Sequence, residues 1–218
     1  MTEHIEPGVT SIPSHIVHRY TIGDVCELIH GNQISPMLFT DYGLAVIRSR
    51  NFVSGQLVIS DEQAYVPAED LESKYIVPNI GDIVVMIAYD CGRIARVDDD
   101  GWVTSCYTYI IRTRDPTLLN QTYLFQFLRN GSFYSHMQNR QRGSMVQHIN
   151  ANDIRSETIL IPSIDDQLAV IDKCAVIRKR SDELHARIAE IGREIEINDA
   201  TYRRVATLQS DDTLSLSS

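Results

Sequence analysis

Proline is the residue a continuous helix tolerates least, and this chain contains none after Pro162. From about Asp165 to Ala206 a single glycine, Gly192, interrupts the run. Through it, apolar or small residues recur at alternating spacings of four and three: Val170, Cys174, Ile177, Ser181, Leu184, Ile188, Ile191, Ile195, Asn198, Tyr202 and Val205. Heptad spacing kept over about five repeats predicts one long helix that packs lengthwise along another, because that stripe must be covered from water. At ~1.5 Å rise per residue the rod would be roughly 55–60 Å long. A compact domain has little use for such an element, so the rod constrains what the remainder of the chain is for.

The charges beside the stripe predict the direction of pairing. With Val170, Ile177, Leu184 and Ile191 at d, position g holds Lys173, Arg180, Arg187 and Glu194, and position e holds Arg178, His185, Gly192 and Asp199. A parallel dimer would oppose Lys173 to Arg178 and Glu194 to Asp199, both like-charged. An antiparallel dimer faces g to g and can set Arg187 against the partner's Glu194 twice. Exposed pairs contribute only ~0.2–1 kcal/mol each, so they select direction more than they supply stability. The expectation is an antiparallel homodimer, seamed by Val170, Ile177, Leu184, Ile188, Ile191 and Ile195, with a head at each end. Cys174, Ser181 and Asn198 are poor seam residues, and Gly192 costs roughly 1 kcal/mol relative to alanine. Further subunits completing the bundle, or the helix folding back on its own head, are the alternatives to a self-sufficient seam.

Residues 1–163 read as an α+β head, with mixed, mostly antiparallel strands. A flexible arm is expected over 1–18, then a strand start and helical turn from Arg19 to Gly31. Strands follow over Leu44–Phe52, 56–60, 64–67 and the near-continuous apolar run 82–88, which predicts a buried strand. Hairpin signals at Asp90-Cys91-Gly92 and Asp98-Asp99-Asp100-Gly101 bound strands over Arg93–Val97 and Trp102–Arg112. Helices are expected over Leu118–Leu128 and Ser132–Asn139, a loop over Arg140–Asn150, and a last strand over Thr158–Ile161. The long helix is expected over 164–207 and a disordered tail over 208–218.

Catalytic motifs are missing from this pattern. Glycine-rich phosphate loops, Gly-x-Ser-x-Gly elbows, His-Glu-x-x-His and an Asp-Pro-Pro-Tyr-like methylation motif do not occur. The four cysteines lie far apart and the seven histidines show no ligand spacing, so neither metal nor cofactor is expected. The N-terminus lacks a signal peptide's basic and apolar segments, and no apolar run reaches the ~18–20 residues of a membrane span. Cytoplasmic residence without membrane association is the expectation.

Nucleic-acid binding must be weighed against acidity. The net charge is −9, and residues 1–163 alone carry twelve Lys and Arg against eighteen Asp and Glu. Binding depends on local clustering, not on the total. Arg48, Arg50 and Asn51 leave one strand, Arg93 lies by a hairpin, and Gln138, Arg140, Arg142 and Ser144 fall in the densest polar cluster. Arginine's planar fork suits phosphate and the guanine edge, and Asn or Gln can pair with adenine. These eight residues are the candidate DNA contacts. The competing reading is that the arginines solvate an acidic surface, on a protein-binding adaptor that dimerises through its coil.

Thr21-Ile22-Gly23-Asp24-Val25 leading to Gly31, then Ile47-Arg48, Gly81-Asp82-Ile83-Val84 and Gly92-Arg93-Ile94, resemble target recognition domains of type I restriction–modification specificity subunits. Gly143 to Ile149, Ile154, and Leu160-Ile161-Pro162-Ser163-Ile164-Asp165-Asp166-Gln167 resemble that family's junction into its conserved helix. The resemblance covers about residues 20–205. It implies a non-catalytic head that reads a DNA half-site, and a helix that spaces two heads and docks methyltransferase subunits, with a restriction subunit as a further partner. Members commonly carry two such heads and two helices, whereas this sequence has one of each. A homodimer would restore the pair and read a symmetric, interrupted site.

Overall fold

A computed structural model describes residues 17–68 and 75–215. Most of the expected N-terminal arm lies outside the described residues, as do the last three residues of the expected tail. Two units divide the chain, 1–171 and 172–218. Among the described residues no helix is long and apolar enough to cross a membrane.

The first unit is α+β. Strand β1 (His18–Thr21) pairs antiparallel with β11 (Thr158–Ile161), joining the two ends of the head. A six-stranded sheet runs in the order β2 (Cys26–His30), β10 (Thr108–Thr113), β7 (Ile83–Met86), β8 (Ile94–Arg96), β5 (Gln56–Leu57), β4 (Phe52–Val53). A three-stranded sheet runs β6 (Tyr65–Val66), β3 (Leu44–Val46), β9 (Trp102–Val103). Pairing is antiparallel except between β3 and β9 and between β5 and β8.

The uninterrupted apolar sequence of β7 has a direct cause. Ile83 and Val85 point into one core, with Leu119, Leu124, Phe125 and Leu128. Val84 and Met86 point into another, with Ile47, Phe52 and Trp102. A strand covered on both faces loses the polar alternation of a half-exposed one. The first core is roofed by α2 (Gln121–Asn130), whose Asn120 cap accepts from the Thr122 and Tyr123 N–H groups, and by α3 (Phe133–Asn139). A short α4 (Ala151–Arg155) precedes β11.

Three expectations change. The helical turn near Ile22 is a single turn, α1 (Ile22–Val25), and Cys26–His30 is strand β2. The strand expected over Trp102–Arg112 is two strands, β9 and β10. Between them Ser105 accepts the Thr108 N–H and hydroxyl through its carbonyl and donates its own hydroxyl to the Ile47 carbonyl, making a side-chain-locked turn. The long helix, α5, runs Ile164–Ser215, past the expected end at 207 and through eight of the eleven residues of the expected disordered tail. No proline or glycine stands in residues 193–215 to stop it. Its first turns belong to the head: Gln167 is buried and Ile171 packs on the first core.

Candidate nucleic-acid interface

The polar loop after α3 is held by short-range geometry rather than left free. Arg142 and His148 exchange backbone hydrogen bonds at 3.0 and 2.9 Å, closing a hairpin-like loop. Gly143 inside it has φ +111, and a Cβ there would lie 2.4 Å from the Val146 carbonyl oxygen, so glycine is required. The loop base is tied to the residue that follows β7 by the Ile149 N–H donating to the Ile87 carbonyl at 2.9 Å. Its tip presents Ser144, Met145 and Val146, and Met145 is 96% exposed.

The two arginines that precede this tip pair with carboxylates at the surface of the head. Arg142 grips Asp153 with both terminal nitrogens, at 2.6 and 2.8 Å. The guanidinium hydrogen bond holds the Asp153 carboxyl below its ordinary pKa, and the Asn150 N–H adds to the effect against the opposing desolvation. Arg140 donates to the Asp153 carbonyl at 2.6 Å and sits 3.2 Å from Glu157 Oε2. Buried Glu157 also lies 2.6 Å from His136 Nδ1. Gln138 donates to the Cys91 carbonyl at 2.6 Å and accepts from Gln141 at 2.7 Å. Thus Gln138, Arg140 and Arg142 brace the loop, and Ser144 is the member of that sequence cluster standing at its tip.

Beside the tip runs the turn between β7 and β8. Tyr89 has φ +67, a left-handed conformation that strains a bulky residue by roughly 1–3 kcal/mol. Its N–H donates to the Gln147 carbonyl at 3.0 Å, so turn and loop are one assembly. The Tyr89 ring meets Tyr107, from the turn before β10, edge-on at 5.6 Å, and both are exposed. Asp90 accepts from Tyr134 at 2.7 Å and pairs with Arg93 at 3.2 Å, leaving Arg93 half-exposed. Gly92 has φ +85, and a Cβ there would lie 2.5 Å from that of Met137, so the turn sits directly on α3.

The other candidate group lies on a 3-10 turn, Ser49–Asn51, after β3. Asn51 is a correction: it is fully buried, with Oδ1 accepting the Arg48 N–H and Nδ2 donating to Val58 and Gln63. Its polar capacity is consumed inside the fold, so it is no DNA contact. Arg48 lies 4.8 Å over the Phe39 ring, and Arg50 pairs with Glu62 at 2.6 Å, both at the surface.

The remaining polar features are structural. Asp82 receives a two-pronged grip from Arg112 at 2.8 and 2.6 Å. Asp98 accepts from Arg96, and Asp99 accepts from the Trp102 indole. Burial pushes the Cys26 thiol up to about 12 and raises Cys91, so neither is poised as a thiolate. Among the described residues no group of three His, Cys, Asp or Glu side chains could hold a metal ion. In the second unit Ile177, Leu184, Ile188, Ile191 and Ile195 all stand exposed, as does Val170 in the first. The exposed Tyr89, Tyr107, Met145 and Val146 beside these residues are not among the candidates from sequence. The available signal was an apolar pair inside an otherwise polar, glycine-bearing loop.

A model of the family described as "Type I restriction modification DNA specificity domain" matches residues 17–191. No curated protein matches the chain. Among solved structures, it is similar to the S subunit of a type I restriction–modification system from M. genitalium, with 17% identity, a TM-score of 0.57, and coverage of 80% of this chain and 42% of that one. A chain from a study of complex assembly and conformational transition of the type I R-M system aligns at 16% identity and TM-score 0.65, covering 88% and 45%. The HsdS subunit from Thermoanaerobacter tengcongensis aligns at 16% and 0.58, covering 81% and 40%. At such identities the likeness is one of fold, and this chain spans less than half the length of each.

Proposed function

Because this chain belongs to the type I restriction modification DNA specificity family, we propose that it is the sequence-reading subunit of such a system. The carrying observation is the family match over 17–191, which takes in both the head and much of the heptad helix. In this reading the head contacts double-stranded DNA through the braced loop tip at Ser144 to Val146 and the neighbouring Tyr89, Tyr107 and Arg93. Arg48 and Arg50 remain candidates for phosphate. Gln138, Arg140 and Arg142 act indirectly, by fixing the loop. Rigid presentation favours specific contact, since a preordered loop loses less entropy on binding.

The subunit carries no catalysis of its own in this proposal; methyltransferase subunits, and a restriction subunit where present, supply it. Two copies pair through the exposed seam of α5, and a twofold-symmetric reader takes a symmetric, interrupted site. The complex acts in the cytoplasm, where the host DNA lies. Retention of the full chain on immobilised duplex DNA at about 100 mM salt, falling as salt rises, is the expected result. Retention by protein partners with none by DNA would replace this reading with the adaptor.

A further inference from the structure

Four apolar side chains stand exposed at one end of the six-stranded sheet, where Tyr89 follows β7, Tyr107 precedes β10, and Met145 and Val146 form the loop tip. They make one surface. The Tyr89 and Tyr107 rings cross at 69° with centres 5.6 Å apart, and the Tyr89 N–H is bonded to Gln147, next to Val146. We infer that this surface reads the C5-methyl groups of thymine in the major groove of DNA. The inference deepens the DNA reading of the proposed function and rests on it.

The Tyr107 ring stands on a turn in which three successive carbonyls are engaged. That of Ser105 accepts from the Thr108 N–H and hydroxyl, that of Cys106 from His30 Nε2 at 3.0 Å, and that of Tyr107 from the Ile87 N–H at 2.9 Å. A carbonyl only accepts, so His30 carries a proton on Nε2, and its imidazole is stacked on Tyr109 with ring centres 4.6 Å apart. Gly31 packs so closely on the turn that a Cβ there would lie 2.2 Å from the Ser105 carbonyl oxygen. Tyr89 is pinned at its positive φ by the bond to Gln147. Both rings are thus presented on fixed backbone, so little entropy is lost when a base edge is placed against them.

The chemistry of the surface selects what it can read. A phenol hydroxyl both donates and accepts, so it does not choose between the donors and acceptors of base edges. The apolar faces do choose, because the apolar group lining the major groove is the thymine methyl. Met145 is unbranched and polarisable, which lets it conform to so small a projection. Width argues against the other groove. Ring centres 5.6 Å apart already span the roughly 6 Å minor groove before the thickness of the rings is added, whereas the major groove is about 12 Å wide. Crossed rings are also too thick to enter between stacked base pairs as a wedge does. Arg93, in the same turn as Tyr89, meets Asp90 through one terminal nitrogen at 3.2 Å, which leaves its other donors for a phosphate beside the groove.

The test uses the full chain and the duplex it retains from a pool of random sequences. Each thymine of that duplex is replaced in turn by deoxyuridine, which removes the methyl group and keeps the hydrogen-bonding edge. Expected is a loss of affinity of about threefold to fourfold at one or more positions, the worth of burying one methyl group. At those positions Met145→Ser, alone or with Tyr89→Asn, should discriminate less than about twofold, because the methyl has lost its partner. Equal affinity for the thymine and deoxyuridine duplexes at every position overturns the inference and leaves the DNA reading standing. So does a penalty that stays undiminished in both variants, which would place the methyl contact elsewhere on the head. Retention of no duplex from the pool overturns the DNA reading as well.

Discussion

Gln167 accepts the backbone N–H of Asn120 at 2.8 Å across 47 residues of sequence. The same side chain donates to the carbonyls of Leu118 and Pro162 at 2.9 and 3.0 Å, and it is fully buried. Three backbone groups that no secondary structure satisfies are thus closed by one amide. This fastens the first turn of α5 to the start of α2, with Ser163 and Asp166 capping the helix beside it.

Gln167→Ala should therefore cost about 2–4 kcal/mol, because it orphans buried donors and acceptors rather than deleting an exposed contact. Urea denaturation followed by circular dichroism measures it. A loss under 1 kcal/mol would mean that water replaces the amide.

The Arg142–Asp153 pair carries a pH signature. Asp153 titrates below its unfolded value, so its contribution is present above about pH 4, the unfolded carboxylate range, and is lost as pH falls through the lower folded value. Arg142→Ala should lower stability near neutral pH and flatten the acid limb of the stability curve. Since Arg142 is spent on Asp153, the slope of DNA affinity against salt should stay near that of the wild type. A slope shallower by about one would return Arg142 to the phosphate-contacting set.

Tyr89 separates binding from stability. Asparagine tolerates a positive φ better than tyrosine, so Tyr89→Asn should leave the unfolding free energy within about 1 kcal/mol of wild type. If the exposed ring contacts DNA, affinity for a selected duplex should fall about fivefold or more, by the loss of one aromatic contact. Met145→Ser at the neighbouring tip should behave alike. Unaltered affinity in both would move the interface elsewhere on the head.

The rod and the central strand were plain from sequence because each rests on a period that burial enforces. Proline-free heptads gave α5, and the double-sided apolar run at residues 83–86 gave β7. The turn at Ser105 was hidden because Thr108 to Arg112 continues the strand-like composition of Trp102 and Val103, and only tertiary contact with Ile47 breaks it. The site was half legible for a related reason. Composition identifies arginines, but it cannot say which carboxylate lies across the fold, so Arg140 and Arg142 looked free and Asn51 looked exposed. Tyr89 was invisible because its position depends on a left-handed turn held by Gln147, a contact between residues far apart in sequence.

In the proposed function each of two heads reads one half of a symmetric DNA site. Selection from a pool of random duplex DNA by the full chain, with sequencing of the bound fraction, tests it most directly. Enrichment of one short motif present twice, in inverted orientation and at a fixed separation, is the expected result. No enrichment, or a single motif without its inverted copy, would contradict a twofold-symmetric DNA reader.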